Sequence, residues 1–312
     1  MHIMKSSNEI NDAPLRIVIT GANGFTGRHA CTYFATNGYD VYAMVRTPTT
    51  FEHERIQTVI CDLTDQTSLQ TTIQSIQPHF ILHLAGQNAV HVSWESPTDT
   101  FITNVMCTAY LLDAVRLQGS PCRIIIAGSI LQVNPADPIT FEHPYSLSKT
   151  MQALYAEVFS LLFEMEVMVA KPSNLIGPGK SAGICSILAN KVVKMEQGKE
   201  PNEIVVHNLL AVRDFLDVRD VVRAYEILLL KGKANTVYEI TSGTTRHIKD
   251  VIEIYKRIST INFQIKSEVT QQETIKEFNT VPIKLLGWNP NISFEQSLHD
   301  TLQYARTVMR KE

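Results

Sequence analysis

From Leu15 onward, short apolar runs alternate with helical stretches, and this alternation constrains the fold more than any other feature of the sequence. The runs read RIVIT (16–20), DVYAMV (40–45), VICDL (59–63), FILHLAG (80–86), RIIIAG (123–128) and EVMVAKP (166–172). They are continuous rather than alternating apolar and polar, so each is expected as a strand buried on both faces, the condition of a parallel sheet. Parallel neighbours need crossovers, which are right-handed and deposit helices on either face. The expected fold class is therefore α/β, a Rossmann-type doubly wound parallel sheet.

After Asn174 the texture changes to LIGPGKSAG, a lysine-rich helix over about 184–197, and then short mixed elements. Residues 175–205 plus 236–312 are expected to form a smaller α/β substrate-binding domain, and 14–174 plus 206–235 the sheet domain. Within the latter, Val221, Val222, Tyr225, Leu228 and Leu229 recur at helical spacing and predict a helix returning to the sheet. At 312 residues and 44% hydrophobic content the chain can bury a core of this size.

A net charge of -3 offers no basic field to gather nucleic acid or an anionic membrane, so neither is an expected partner. An anionic ligand must instead be held by a few placed groups. The five cysteines, Cys31, Cys61, Cys107, Cys122 and Cys185, lack zinc-type spacing, so no metal is expected, and they read as buried thiols of a reducing compartment. The first 13 residues lack the apolar centre of a secretion signal, and Glu164 and Glu166 interrupt the stretch around Val158 to Ala170. A cytoplasmic protein that does not enter a membrane is expected.

The segment Gly21-Ala22-Asn23-Gly24-Phe25-Thr26-Gly27 follows the first strand directly and opens a helix. Glycines at this spacing allow a tight turn, close approach to a diphosphate, and helix-on-strand packing, while the helix N-terminus attracts the phosphates. At the end of the second strand, where a carboxylate would bond the ribose hydroxyls of NAD, the chain has Arg46. A guanidinium there favours the 2′-phosphate of NADP over NAD, unless it is simply an exposed arginine at a strand end. Asp62, next to Leu63, either bonds the adenine amine or only closes a turn.

Tyr145 and Lys149 stand four apart on a predicted helix, which sets phenol and ammonium on one face. Protonating a ketone oxygen as hydride arrives needs an acid near neutral pH, and a free tyrosine titrates near 10. Bringing it to about 7 needs about 4 kcal/mol, which a cation about 4 Å away at an effective dielectric of about 20 could supply. Lys149 is thus expected to acidify Tyr145. Ser129, at the end of the fifth strand, would hydrogen-bond the substrate oxygen between the phenol and the nicotinamide.

In this order the motifs resemble the extended short-chain dehydrogenases/reductases of the NAD-dependent epimerase/dehydratase family, over nearly the whole chain. His83-Leu84-Ala85-Gly86, Asn104-Val105, the stretch from Lys171-Pro172 through Asn174 to Gly179, and Val212-Arg213-Asp214-Phe215-Leu216-Asp217-Val218-Arg219-Asp220 all fall in family order. The resemblance implies that Ser129, Tyr145 and Lys149 are catalytic, and that Leu84, Ala85, Gly86 and Pro172 join the cofactor site. It implies a nucleotide-sugar substrate touching Asn174, Lys191 and Arg213. Two alternatives stay open: Asn174 closes a turn, or Arg213 pairs Asp214 or Asp217. His91 and Trp94 border the sugar pocket or simply pack.

Within the family, Val92-Ser93-Trp94, Asn208-Leu209 before Ala211-Val212-Arg213, and Leu286-Gly287-Trp288 with Pro290 most resemble GDP-4-keto-6-deoxy-D-mannose reductases. This implies an NADPH-dependent reduction at C4 of a nucleotide-linked 4-keto-6-deoxy sugar, supplying a polysaccharide precursor. Ile130-Leu131-Gln132-Val133-Asn134 departs from the family pattern, leaving the hexose and base undefined. No acid adjoins Ser129, unlike in 4,6-dehydratases. The alternatives are a 4-epimerase retaining NAD and a non-catalytic NADP sensor or scaffold. The helices at about 100–117 and 148–164 carry Phe101, Tyr110, Leu111, Leu154, Phe159, Leu162 and Phe163, which form a homodimer interface or pack on the chain's own sheet.

Overall fold

The computed structural model describes residues 14–137, 140–273 and 277–310, so the polar segment 1–13 lies outside them. The chain begins with β1 (Arg16–Thr20), α1 (Phe25–Thr36), β2 (Asp40–Val45), β3 (Ile56–Ile60), α2 (Gln66–Ile76) and β4 (Phe80–His83). Two short helices, α3 (Val90–Glu95) and α4 (Pro97–Phe101), lead through a π-helical turn at Ile102–Met106 into α5 (Cys107–Gln118). Then come β5 (Arg123–Ala127), α6 (Pro144–Leu162), β6 (Glu166–Pro172), β7 (Asn174–Ile176) and α7 (Ile184–Glu196). The remainder is β8 (Glu203–Asn208), β9 (Val212–Asp217), α8 (Val218–Lys231), β10 (Thr236–Ile240), β11 (Thr245–His247), α9 (Ile248–Ile258), β12 (Gln264–Val269), α10 (Val281–Leu285) and α11 (Phe294–Met309).

Seven strands form one parallel sheet in the order β3-β2-β1-β4-β5-β6-β10. The reversal of winding between β1 and β4 is a switch point, where ligands bind beyond the strands' carboxyl ends. The continuous apolar runs are explained by burial on both faces. In β1, Ile17 and Ile19 join the core beneath α1 and α8, whereas Val18 joins the core beneath α2, α5 and α6. All three are fully buried, at about 1.5–3 kcal/mol each relative to exposure.

The smaller body contains a three-stranded sheet, β11-β9-β7, and the parallel pair β12-β8. Its core is formed by α7, α9 and α11 around Phe215 and Ile204. Two stretches fall differently from the expected partition. Residues 206–217, expected with the large sheet, fall with the smaller body, because β8 and β9 pair with β12, β11 and β7. In the other direction, 236–240 forms the edge strand β10 of the large sheet, and Ile283 and Trp288 pack into its core. The reason is Asp220, buried in the first turn of α8. Its backbone carbonyl accepts from Trp288 Nε1 at 3.0 Å, and its carboxylate from the Asn291 and Ile292 amides at 2.9 Å, binding the late segment to the sheet's own helix.

β3 lies at 56–60 rather than 59–63, and residues 61–63 form the turn beyond it. All five cysteines are buried free thiols. Among the described residues, no helix is long and apolar enough to cross a membrane.

Candidate active site

Backbone geometry alone demands the glycines after β1. Gly21 has φ +64, and a Cβ there would lie 2.8 Å from the Ala85 amide nitrogen. At Gly27 it would lie 2.3 Å from the Gly21 carbonyl oxygen, so α1 can approach β1 this closely only without a side chain. Gly24, the N-cap of α1, offers no side-chain acceptor, and no acid occupies the first turn. The positive end of α1 is therefore uncompensated by its own residues.

This turn forms one wall of a cleft of about 960 Å³ across the carboxyl ends of β1 to β6. Gly21, Asn23, Gly24, Phe25, Thr26, Gly27, Arg46, Asp62, Leu63, Leu84, Ala85, Gly86, Ser129, Tyr145, Lys149 and Pro172 all line it, as do His91 and Asn174. Among the described residues, Asp62 is the one carboxylate in the lining, against the cations Arg46, Lys149 and Lys180. The cleft is built for an anion. Its Gly-rich turn, helix N-terminus and charge balance fit a dinucleotide.

Arg46 is exposed at the end of β2, with no side-chain hydrogen bond among the described residues, so its guanidinium is available to a ligand. Asp62 accepts from the backbone and hydroxyl of Thr64 at 2.9 and 2.8 Å. These bonds, the backbone one foremost, hold its carboxyl below the usual range, with Arg46 assisting. Asp62 thus closes a turn and lines the cleft at once.

Two elements, β5 and α6, carry the three residues expected to be catalytic. Ser129 follows β5; its amide donates to Gln132 Oε1 at 3.2 Å and its hydroxyl accepts from the Leu131 amide at 3.1 Å. Tyr145 stands in the first turn of α6, where its amide donates to the buried Ser93 hydroxyl at 3.1 Å. Ser93 is thereby the residue of the Val92-Ser93-Trp94 stretch that positions the site from within. One turn on, Lys149 Nζ donates to Ala127 O and to Gln152 Oε1, both at 2.8 Å. Asn104, in the π-helical turn, donates to Gln87 O at 3.0 Å and to Ser148 Oγ at 2.8 Å, tying the loop after β4 to α6.

The expected acidification of Tyr145 by Lys149 is not found. Burial pushes the phenol above its ordinary value, and the pull in the other direction comes from hydrogen bonding with Ser129. Lys149 is itself so buried that its ammonium is lowered to about 8, and its two defined hydrogen bonds go elsewhere. Desolvation of the phenolate outweighs a cation whose charge is also costly to bury.

The expected substrate contacts divide. His91 and Asn174 line the cleft, and Asn174 Nδ2 donates to Asp214 O at 3.0 Å, so it both faces the cleft and joins β7 to β9. Trp94 is 62% exposed on α3 and outside the lining, as are Lys191 and Arg213. Arg213 pairs with Glu273 at 2.5 Å, not with Asp214 or Asp217, whose carboxylates are engaged by Ser242 and Thr244 and by Arg219 and Ser297. Sequence reasoning missed Lys180, Ser181 and Gly183, which line the cleft just before α7. Their signal was present: a lysine within Gly-Pro-Gly-Lys-Ser-Ala-Gly immediately before a helix, the arrangement that favours anions.

The model of the NAD dependent epimerase/dehydratase family matches residues 17–241, which span the large sheet from β1 through β10. The chain belongs to the NAD dependent epimerase/dehydratase family. This epimerase/dehydratase chain is 28% identical to a GDP-6-deoxy-D-mannose reductase of Pseudomonas aeruginosa, over 95% of its length and 99% of the relative's. It is 25% identical to a putative UDP-glucose 4-epimerase of Methanocaldococcus jannaschii, over 94% and 99%. Among solved structures it is similar to RMD from Pseudomonas aeruginosa complexed with NADPH, at 27% identity and TM-score 0.78, covering 94% of this chain and 99% of that one. The family assignment places it among nucleotide-sugar reductases, epimerases and dehydratases.

Proposed function

We propose that the protein is an NADPH-dependent reductase of a nucleotide-linked 4-keto-6-deoxy sugar, with a GDP-linked hexose as the first substrate to try. One observation carries the reading: Ser129, Tyr145 and Lys149 share a cleft with the Gly21–Gly27 turn and Arg46, while the only lining carboxylate among the described residues, Asp62, lies beyond β3. A 4,6-dehydratase needs a further acid and base beside the sugar, and Gly128 and Ile130 flank Ser129. The reductase and the NADPH complex from Pseudomonas aeruginosa support the same reading.

Bound NADPH supplies the hydride. The α1 N-terminus and the Gly-rich backbone would receive the diphosphate, and Arg46 the 2′-phosphate. Ser129 would donate to the C4 carbonyl oxygen and hold it against Tyr145. Burial keeps Tyr145 protonated at neutral pH, the form that carbonyl reduction consumes; an epimerase that begins by oxidising its substrate needs the phenolate. As the proton leaves, the Lys149 ammonium, charged below about 8, favours the phenolate formed. Lys180 and Asn174 would receive the sugar nucleotide's phosphates, Lys180 in the place expected of Arg213.

We assign the protein to the cytoplasm as a homodimer. Leu154, Val158, Leu161 and Leu162 on α6, with Leu117 and Phe163, leave an apolar face outside the sheet cores, whereas Leu111 is fully buried. The test of function is NADPH oxidation with GDP-, dTDP-, UDP- and CDP-linked 4-keto-6-deoxy sugars. Consumption of NADPH with one of them supports the reductase; NAD retained through purification with no NADPH consumption identifies an epimerase instead.

A further inference from the structure

Behind Lys149 lies a chain of buried polar groups whose hydrogen positions follow from one another. Thr108 Oγ1 donates its single hydrogen to Asn104 O at 2.7 Å, so its lone pairs accept from His83 Nε2 at 2.9 Å and Gln152 Nε2 at 2.8 Å. His83 is therefore the Nε2–H tautomer, and its Nδ1 accepts from Thr20 Oγ1 at 2.8 Å. With its amide nitrogen committed to Thr108, Gln152 must turn Oε1 toward Lys149, which has only donors to offer. Gln152, Thr108 and His83 are all fully buried, and no water is needed to complete the chain.

We propose that Gln152 is a positioning residue for Lys149. It and Ala127 O take two of the three ammonium hydrogens, leaving the third for the cleft that Lys149 lines. His83 from β4 feels the charge of Lys149, and Tyr145 from its own helix lines the same cleft; among the described residues the bonds of Nζ go to Ala127 O and Gln152, and no carboxylate pairs with it. The neutral amide holds a charged lysine in place without the stronger pinning a glutamate would bring. This deepens the functional reading above, in which Lys149 serves Tyr145.

The test uses the full chain without substrate, labelled with ¹³C-lysine, and follows the Lys149 Cε resonance with pH. Its loss in Lys149→Met assigns it. The expected midpoint is near 8 in the wild type, above about 9 in Gln152→Glu, which adds a carboxylate at the same place, and below about 7 in Gln152→Leu, which removes the acceptor. The pH profile of NADPH binding should move in the same directions. Gln152→Glu is nearly isosteric, so it answers the question even if the leucine variant does not fold. A midpoint unmoved in Gln152→Glu overturns the proposal. Failure of the wild type to consume NADPH would sink the reductase reading and leave these midpoints as they are.

Discussion

His83 should make the protein lose stability in acid by an amount that can be worked out. Both ring nitrogens are committed, Nε2–H to Thr108 and Nδ1 as acceptor from Thr20, which itself accepts from the Ala85 amide at 3.1 Å. Protonating Nδ1 would oppose its hydrogen to that of Thr20, at the base of the loop that carries Gly86. Burial first, and Lys149 second, lower the imidazole to about 3 from an unperturbed 6.5. Between these values the unfolded chain binds a proton that the folded chain refuses. The stability that depends on neutral His83 is thus complete above about 6.5 and falls as pH drops toward about 3. From pH 7 to pH 4.5 the loss is about 2–3 kcal/mol. The assay is urea unfolding of the wild type and His83→Gln at both pH values. Other groups titrate alike in both proteins, so the stability gap between them should shrink by about 2–3 kcal/mol at pH 4.5. A gap that stays constant refutes the argument.

Arg46→Ala should weaken NADPH binding about 10- to 100-fold, roughly 1.4–2.8 kcal/mol for a charge-assisted contact at an exposed site, and leave NADH unchanged. Titration with both nucleotides checks this, and equal losses would remove Arg46 from 2′-phosphate recognition. Lys180→Ala should raise KM for the sugar nucleotide about tenfold, whereas Arg213→Ala, outside the cleft and paired with Glu273, should change it less than about threefold. Steady-state kinetics on the two variants would reverse that ranking if Arg213 were the phosphate ligand.

Much of this was legible because its signals are local. Ile17, Val18 and Ile19 are buried on alternating faces by two different cores, which is why their run has no polar interruption. The glycines at 21 and 27 report close backbone approach, and the i, i+4 spacing of phenol and amine reports one helix face. What escaped was set by long-range contact. Thr236–Ile240 is too short to reveal that it pairs in parallel with β6. Trp288 gives no sign that its indole seeks the Asp220 carbonyl, 68 residues earlier. Arg213 reads as a substrate ligand or a partner of Asp214 or Asp217 until Glu273, 60 residues later, comes beside it. The acidity of Tyr145 was misjudged because spacing reveals a neighbouring cation but not how thoroughly both groups are withdrawn from water.

Single-turnover NADPH oxidation by Tyr145→Phe, with saturating 4-keto-6-deoxy sugar nucleotide, tests the central claim most directly. The phenyl ring fills the same buried space and removes only the hydroxyl, so NADPH binding should persist while the hydride-transfer step slows by about 100-fold or more. An unchanged rate would mean that the proton comes from elsewhere and that the trio at the mouth of β5 and α6 is not the reacting centre.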